Sequence, residues 1–209
     1  MKIIKQIVLL ASVMVFSAPL IAQSSLSAEV SQAYTSFLFT ASDGQQLNKE
    51  YLGIFNGAYG FGYRYVTDGG FVVRSVIGMR KAGASLVYDD MNYSWDLQYA
   101  DLKAGLGYMY RFEKVFPYLV ASWYTSYLLR GFQTLNNEDF NITKADLLKR
   151  WDYGLVISPG VELKLSESVA GFAEFNYIRG LQNIETDEGQ KASNVAYSLT
   201  LGLSFNLSK

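Results

Sequence analysis

Cysteine and histidine are both absent from this sequence. Without cysteine there is no disulfide, no thiolate metal site and no lipid-modified N-terminal Cys. Without histidine, Ser-His-Asp and Cys-His catalysis cannot be assembled. Imidazole-based zinc and iron sites are excluded as well. An enzyme built from this chain would be left with carboxylate, lysine or tyrosine chemistry, and no cofactor is expected. Charge is also sparse: 18% of residues are charged, 18 Lys and Arg against 19 Asp and Glu, so there is no broad basic surface and no nucleic-acid partner is expected. The one uninterrupted apolar run of note is Ile7 to Phe16, short of the roughly 20 residues a spanning helix needs.

That run sits in a recognisable layout. Lys2 and Lys5 precede it, and "SAPLIAQ" follows with small residues and a proline. This is the pattern of a secretory signal peptide. The expected organisation is a cleaved signal at 1–22 and a single domain at 23–209. Cleavage is placed after Ala22, with Ala28 as the alternative. Loss of Lys2 and Lys5 leaves the mature chain mildly acidic.

Half of the residues are hydrophobic, and aromatics reach 15%, with 16 tyrosines. Their arrangement has a period of two. In "WDYGLVISPGVELKL" (151–165) the odd positions are apolar or aromatic, and Asp152, Glu162 and Lys164 lie opposite. In 51–66 the odd positions carry Tyr51, Phe55, Tyr59, Phe61, Tyr63 and Tyr65; the even ones carry Asn56, Gly60, Gly62 and Arg64. In 70–83, Phe71, Val73, Ile77 and Met79 oppose Arg74, Gly78 and Arg80. In 98–112, Leu102, Ala104, Leu106 and Tyr108 oppose Asp101, Lys103, Gly105, Gly107 and Arg111. In 168–181, Val169, Phe175 and Tyr177 oppose Glu174 and Asn176, and 193–207 alternates throughout. Two further strands, 28–40 and 117–129, carry bulky residues on both faces, and the pattern does not assign them. That makes eight strands. Short turns at 67–70, 113–116 and 166–168 alternate with long polar segments at 41–50, 84–95, 130–149 and 182–192.

An eight-stranded barrel has an interior just wide enough for side chains to fill. Six aromatics from one strand cannot all point inward, so the bulky faces must point out, toward lipid. A soluble ligand-binding barrel needs the reverse. The expected fold is therefore all-β: an eight-stranded antiparallel up-and-down transmembrane β-barrel with short periplasmic turns and longer extracellular loops. The inward charges are then Arg64, Arg74, Arg80, Asp101, Lys103, Arg111, Asp152, Glu162 and Glu174. Unpaired ions in so narrow a space are costly, so a salt-bridged interior without a continuous pore is expected. Pro159 cannot donate to a ladder, which predicts a bulge or local break at 158–160.

"WDYGLVISPGVEL", "NYIRGLQNI", "LQYADLKAGLGYMYRF" and the closing "SLTLGLSFNL" resemble the outer-membrane β-barrel domain family that includes PorT-like and OmpX-like eight-stranded barrels of Bacteroidota. The resemblance runs from about Ala28 to Leu207. It implies insertion in the Gram-negative outer membrane, and a PorT-like role would imply helping to secrete or mature exported proteins. The first strand lacks the glycine-rich pattern usual in the family, and "YADLKAG" lacks the proline often found after that tyrosine. The last strand also resembles the signal read by the barrel-assembly machinery, through Thr200, Gly202, Phe205 and Leu207; plain barrel alternation would give a similar pattern.

The function expected from these readings is non-enzymatic: a monomeric barrel acting in envelope structure or in surface binding through its loops. Its partners would be outer-membrane lipids and lipopolysaccharide, the barrel-assembly machinery and, on the PorT-like reading, secretion-system components. A small pore or a lipid-modifying enzyme is the alternative. "NNED" (136–139) and "ETDE" (185–188) read as solvated acidic loops, since neither matches the spacing of a defined calcium loop; holding Ca²⁺ or bridging to lipopolysaccharide through divalent ions is the alternative. "ITKADLLKRW" is read as either a short helix or a strand extension.

Overall fold

A computed structural model of the chain describes residues 23–88, 91–187 and 189–207, so the signal segment expected at 1–22 lies outside the described residues. The strands are β1 (Gln23–Thr40), β2 (Tyr51–Val66), β3 (Phe71–Ala82), β4 (Ala84–Tyr88), β5 (Met91–Met109), β6 (Val115–Leu135), β7 (Glu138–Phe140), β8 (Trp151–Lys164), β9 (Val169–Gly180) and β10 (Lys191–Asn206). Eight of them pair antiparallel in the cyclic order β1–β2–β3–β5–β6–β8–β9–β10. The ring closes where β1 meets β10, from Ser25↔Asn206 to Thr40↔Lys191. The result is the expected up-and-down barrel, with no free strand edge within the ring.

Two short strands lie in segments expected to be loops. β4 continues β3 beyond Gly83 and, like β3, pairs with both β2 and β5, so it prolongs the ring; β7 folds back on the end of β6, outside the ring. These hairpins prolong the wall beyond the 9–11 residues a membrane needs per strand. "NNED" supplies the β6–β7 turn. Asn136 and Asn137 both take positive φ, 47° and 72°, as a two-residue hairpin loop requires. At the opposite end the connections are tight. In the first, Gly70 donates to the Thr67 carbonyl at 2.9 Å with φ of 85°, a geometry that favours glycine. "ITKADLLKRW" forms neither helix nor strand extension: it folds back as turns, and Ile142 and Leu148 are buried.

Alternation settles the faces that the sequence left open. On β1 the odd residues Ser25, Glu29, Ala33 and Thr35 are buried, while Leu26, Val30 and Tyr34 are exposed. On β6, Tyr118, Val120, Ser122, Tyr124, Ser126 and Leu128 point inward, while Leu119, Trp123 and Tyr127 point out. The exposed large hydrophobics continue around the wall through Phe55, Phe61, Ile77, Leu102, Leu155, Phe175 and Leu199. No water-soluble surface exposes so continuous an apolar band.

Two expectations need correction, the lumen placements of Arg111 and Lys164. The local break expected at Pro159 is present, without a bulge. The β8–β9 ladder skips Ser158 and Pro159 but resumes at Gly160↔Glu174 in the register it had at Ile157↔Tyr177. Pairing with β6 is unbroken at Leu119↔Pro159, so the missing N–H costs ladder contact on one side only. A register shift, which the sequence did not announce, lies in β6, where Gln98↔Arg130 is followed by Tyr99↔Leu128. Leu129 is the extra residue, and past it the inward parity of β6 switches from even to odd, burying Gly131. Arg111 and Lys164 do not line the lumen. Both are exposed at the turn end, and Arg111 donates to the Thr67 carbonyl at 3.3 Å.

The interior is also more aromatic than the alternation implies. At the turn end Val66, Val72, Met109, Tyr118 and Val120 form one cluster. At the loop end Phe37, Phe39, Leu97, Tyr99, Leu128, Ile142, Leu148 and Ile184 form a larger one. Ion pairs occupy the length between them, rather than the whole lumen.

Candidate functional site

Every strand of the ring sends at least one polar side chain into the middle of the barrel. Three groups follow one another from the loop end to the turn end. Nearest the loops, Arg80 of β3 pairs with Asp101 of β5 at 2.9 Å and with Asp152 of β8 at 2.9 Å. Its guanidinium also donates to Ser126 at 3.2 Å. It lies between two tyrosine rings, 4.6 Å from the centroid of Tyr99 and 5.2 Å from that of Tyr124. Asp152 is fully buried and also accepts from Tyr124 at 3.1 Å and Asn194 at 2.9 Å. A buried guanidinium needs this much: two carboxylates for its charge and ring faces for its planar surfaces.

Next comes Arg74, which bridges Glu174 of β9 and Glu29 of β1, the latter at 2.8 Å. Tyr118 donates to the same Glu174 at 3.0 Å. Lys103 approaches Glu29 at 3.6 Å. Gly160 makes room for this group: a Cβ there would stand 2.4 Å from the Tyr118 ring. Nearest the turns, Arg64 of β2 pairs with Glu162 of β8 and donates to Ser204 of β10 at 3.2 Å. A neutral ladder of Ser158, Asn176, Thr200 and Ser31 links β8, β9, β10 and β1 beside these groups.

The structure thus brings Arg64, Arg74, Arg80, Asp101, Lys103, Asp152, Glu162 and Glu174 into one lumen and leaves Arg111 out. Reading by alternation missed Glu29, because Phe37 and Phe39 share its face and obscured which face was polar. The signal was present in the lower half of β1, where Ser25, Ser27 and Glu29 alternate with Leu26, Ala28 and Val30. The buried tyrosines Tyr99, Tyr118 and Tyr124 were also unassigned; nothing local separates them from the lipid-facing ones.

The four residues read as an assembly signal divide between the faces. Thr200 and Gly202 point inward, and Phe205 and Leu207 point out. Gly202 has a packing reason to be glycine: the Phe172 ring passes 2.3 Å from where its Cβ would lie.

The loop end is closed by side chains. Leu148 and Ile184, carried by the two long connections, bury against Phe37, Phe39 and Ala192, and the segments are tied by the Leu148↔Glu185 bridge. Lys149 donates to the Ile184 carbonyl at 2.7 Å. Inside the barrel, the cavity beside Arg80, Asp101 and Lys103 measures about 30 Å³, and the one beside Arg74 and Glu174 about 10 Å³. These hold a water or two and no substrate. Among the described residues no three carboxylates converge as a metal site.

No family model matches the chain, and no curated protein matches it in sequence. Solved structures do. The Neisserial surface protein A structure is 15% identical with a TM-score of 0.51, over 86% of this chain and 96% of that one. The outer membrane protein OprG from Pseudomonas aeruginosa is 11% identical with a TM-score of 0.53, over 90% and 97%. Likeness of this kind shows the fold: an eight-stranded barrel of the outer-membrane type.

Proposed function

We propose that the protein is a non-enzymatic integral outer-membrane barrel that works through its loop end, as a surface-binding or envelope-structural component. The observation that carries this reading is the inverted barrel. Its outer face is apolar all round, while its lumen is filled by paired ions and closed at both ends by packed side chains. A wall of that kind is stable in lipid and offers water no path through it. Among the described residues the cavities beside the lumen ion pairs measure about 30 and 10 Å³, room for a water or two. Activity is left to the loop end, where rigid scaffolds carry their binding residues.

Export through the segment at 1–22 supplies the route, and the barrel-assembly machinery is the partner that would insert the chain, with Thr200, Gly202, Phe205 and Leu207 as its proposed signal. Lipopolysaccharide is the proposed lipid neighbour, and a monomer is the proposed state, since the ring is complete within one chain. Fractionation tests the core of this reading. The protein should stay with the outer-membrane fraction through salt and carbonate washes, and protease added to whole cells should cut the 130–149 or 182–192 segments. Release by carbonate overturns it. The PorT-like reading makes a separate claim: a deletion strain should then lose secreted protein, and intact secretion excludes that role.

A further inference from the structure

The side chains that close the loop end also frame a small space with one charged residue on its lining. Phe37 and Phe39 of β1, Tyr51 of β2 and Trp95 of β5 surround a cavity of about 20 Å³. The rings are not stacked flat. Phe37 meets Tyr51 at 69° and Trp95 at 80°, with centroids 6.1 and 6.0 Å apart, and Tyr51 and Trp95 are 5.4 Å apart. Phe37 thus stands edge-on to Tyr51 and Trp95, whereas Tyr51 is only tilted against Trp95, at 39°, and against Phe39, at 33°. Leu148 and Ile184 complete the enclosure, and the one charged residue lining it is Glu185.

Glu185 is half-buried, and among the described residues its carboxylate makes no ion pair and no hydrogen bond. Burial, followed by the nearby Asp187, raises its pKa above the ordinary carboxylate value, and Lys149 acts in the opposite direction without reaching ion-pair distance. A carboxylate that shares so small and apolar a space without a partner is unfavourable in its charged form. The same grouping attracts a cation, which the ring quadrupoles and the carboxylate favour together. Size then selects the cation. A space of about 20 Å³ accepts a group the size of one water. A primary ammonium fits that limit, and a trimethylammonium does not.

We infer that this cup is a binding site for a primary alkylammonium group, a free small amine or a lysine side chain, entering from the loop end with Glu185 as its counter-ion. The inference deepens the proposed function, because it rests on the reading that the protein binds through its loops. Its test, however, uses purified protein in micelles and does not depend on which membrane the barrel occupies.

The chain has three tryptophans. Trp123 and Trp151 face outward, away from the cup, so Trp123→Phe and Trp151→Phe together leave Trp95 as the sole reporter. Heat-modifiable migration confirms that each variant is folded. Methylammonium chloride, titrated at pH 8 and constant ionic strength, should change Trp95 emission saturably. Nα-acetyl-lysine amide doing the same identifies the lysine side chain as an acceptable source; its failure beside a positive methylammonium titration restricts the site to free small amines. Tetramethylammonium should require at least tenfold higher concentration. Glu185→Gln should weaken methylammonium at least tenfold, and Tyr51→Leu should weaken it too. A response that does not saturate, that tetramethylammonium reproduces, or that survives in folded Glu185→Gln overturns the inference. Protein that binds methylammonium yet washes off membranes would instead overturn the outer-membrane reading and leave the site standing.

Discussion

At the scale of single residues, the lumen is held by charges that have few alternatives. Arg80 is buried against two carboxylates and two rings. Truncating Asp152 leaves that guanidinium with Asp101 alone and removes the acceptor of Tyr124 and Asn194. Breaking a buried pair from one side costs about 3–5 kcal/mol. Asp152→Ala should therefore lower the urea midpoint of micelle-embedded protein by that order, and Asp152→Asn, which keeps volume and polarity, should cost less. Equal losses would mean that the charge is not what matters. Glu185 behaves differently. Its raised pKa means that the folded chain holds its proton to higher pH than the unfolded chain does. Stability is therefore lost as pH rises from the unfolded value of about 4.3 through the folded one. Glu185→Gln should raise thermal stability at pH 8 and change it little at pH 4. A variant equally stabilised at both pH values would refute this account.

At the scale of elements, the irregular points are local. The β6–β7 turn places two non-glycine residues at positive φ. Asparagine tolerates that conformation; for alanine it costs roughly 1–2 kcal/mol per residue. Replacing Asn136 and Asn137 by alanine should speed amide exchange in 133–140, where β7 is held only by β6. The barrel midpoint should stay unchanged, because β7 is outside the ring. Pro159 offers the opposite experiment. Its ladder gap faces β9 in otherwise unbroken register, so Pro159→Val should restore a bond and add about 0.5–1.5 kcal/mol. A fall in stability would show that the β9 side is closed to a donor for another reason. In both places the sequence displayed the feature and hid its consequence. A proline in a strand announces a lost donor, but only the pairing shows that the register absorbs it. "NNED" reads equally as an acidic loop or a turn until β7 is seen folding back on β6.

At the scale of the whole molecule, the packed lumen predicts its electrical behaviour. With cavities of about 30 and 10 Å³ between the two apolar closures, purified protein in planar bilayers should show no large, steady conductance. Stable open channels would contradict the packing described above. The period of two, the crowding limit of eight strands and the absence of histidine were enough to determine the fold class, the lipid-facing side of most strands and the pairing need of the inward charges. Those are local and stoichiometric properties, and a sequence displays them directly. Which charge meets which was decided only by closure. Arg74 lies 45 residues from Glu29 and 100 from Glu174, and the ring's register brings them together. Closure also decided that Glu29 belongs to the lumen and Arg111 does not, because a strand's end is set by its neighbours. The aromatic cup around Glu185 is likewise tertiary: four strands and two loops supply its walls, and no stretch of the chain contains it.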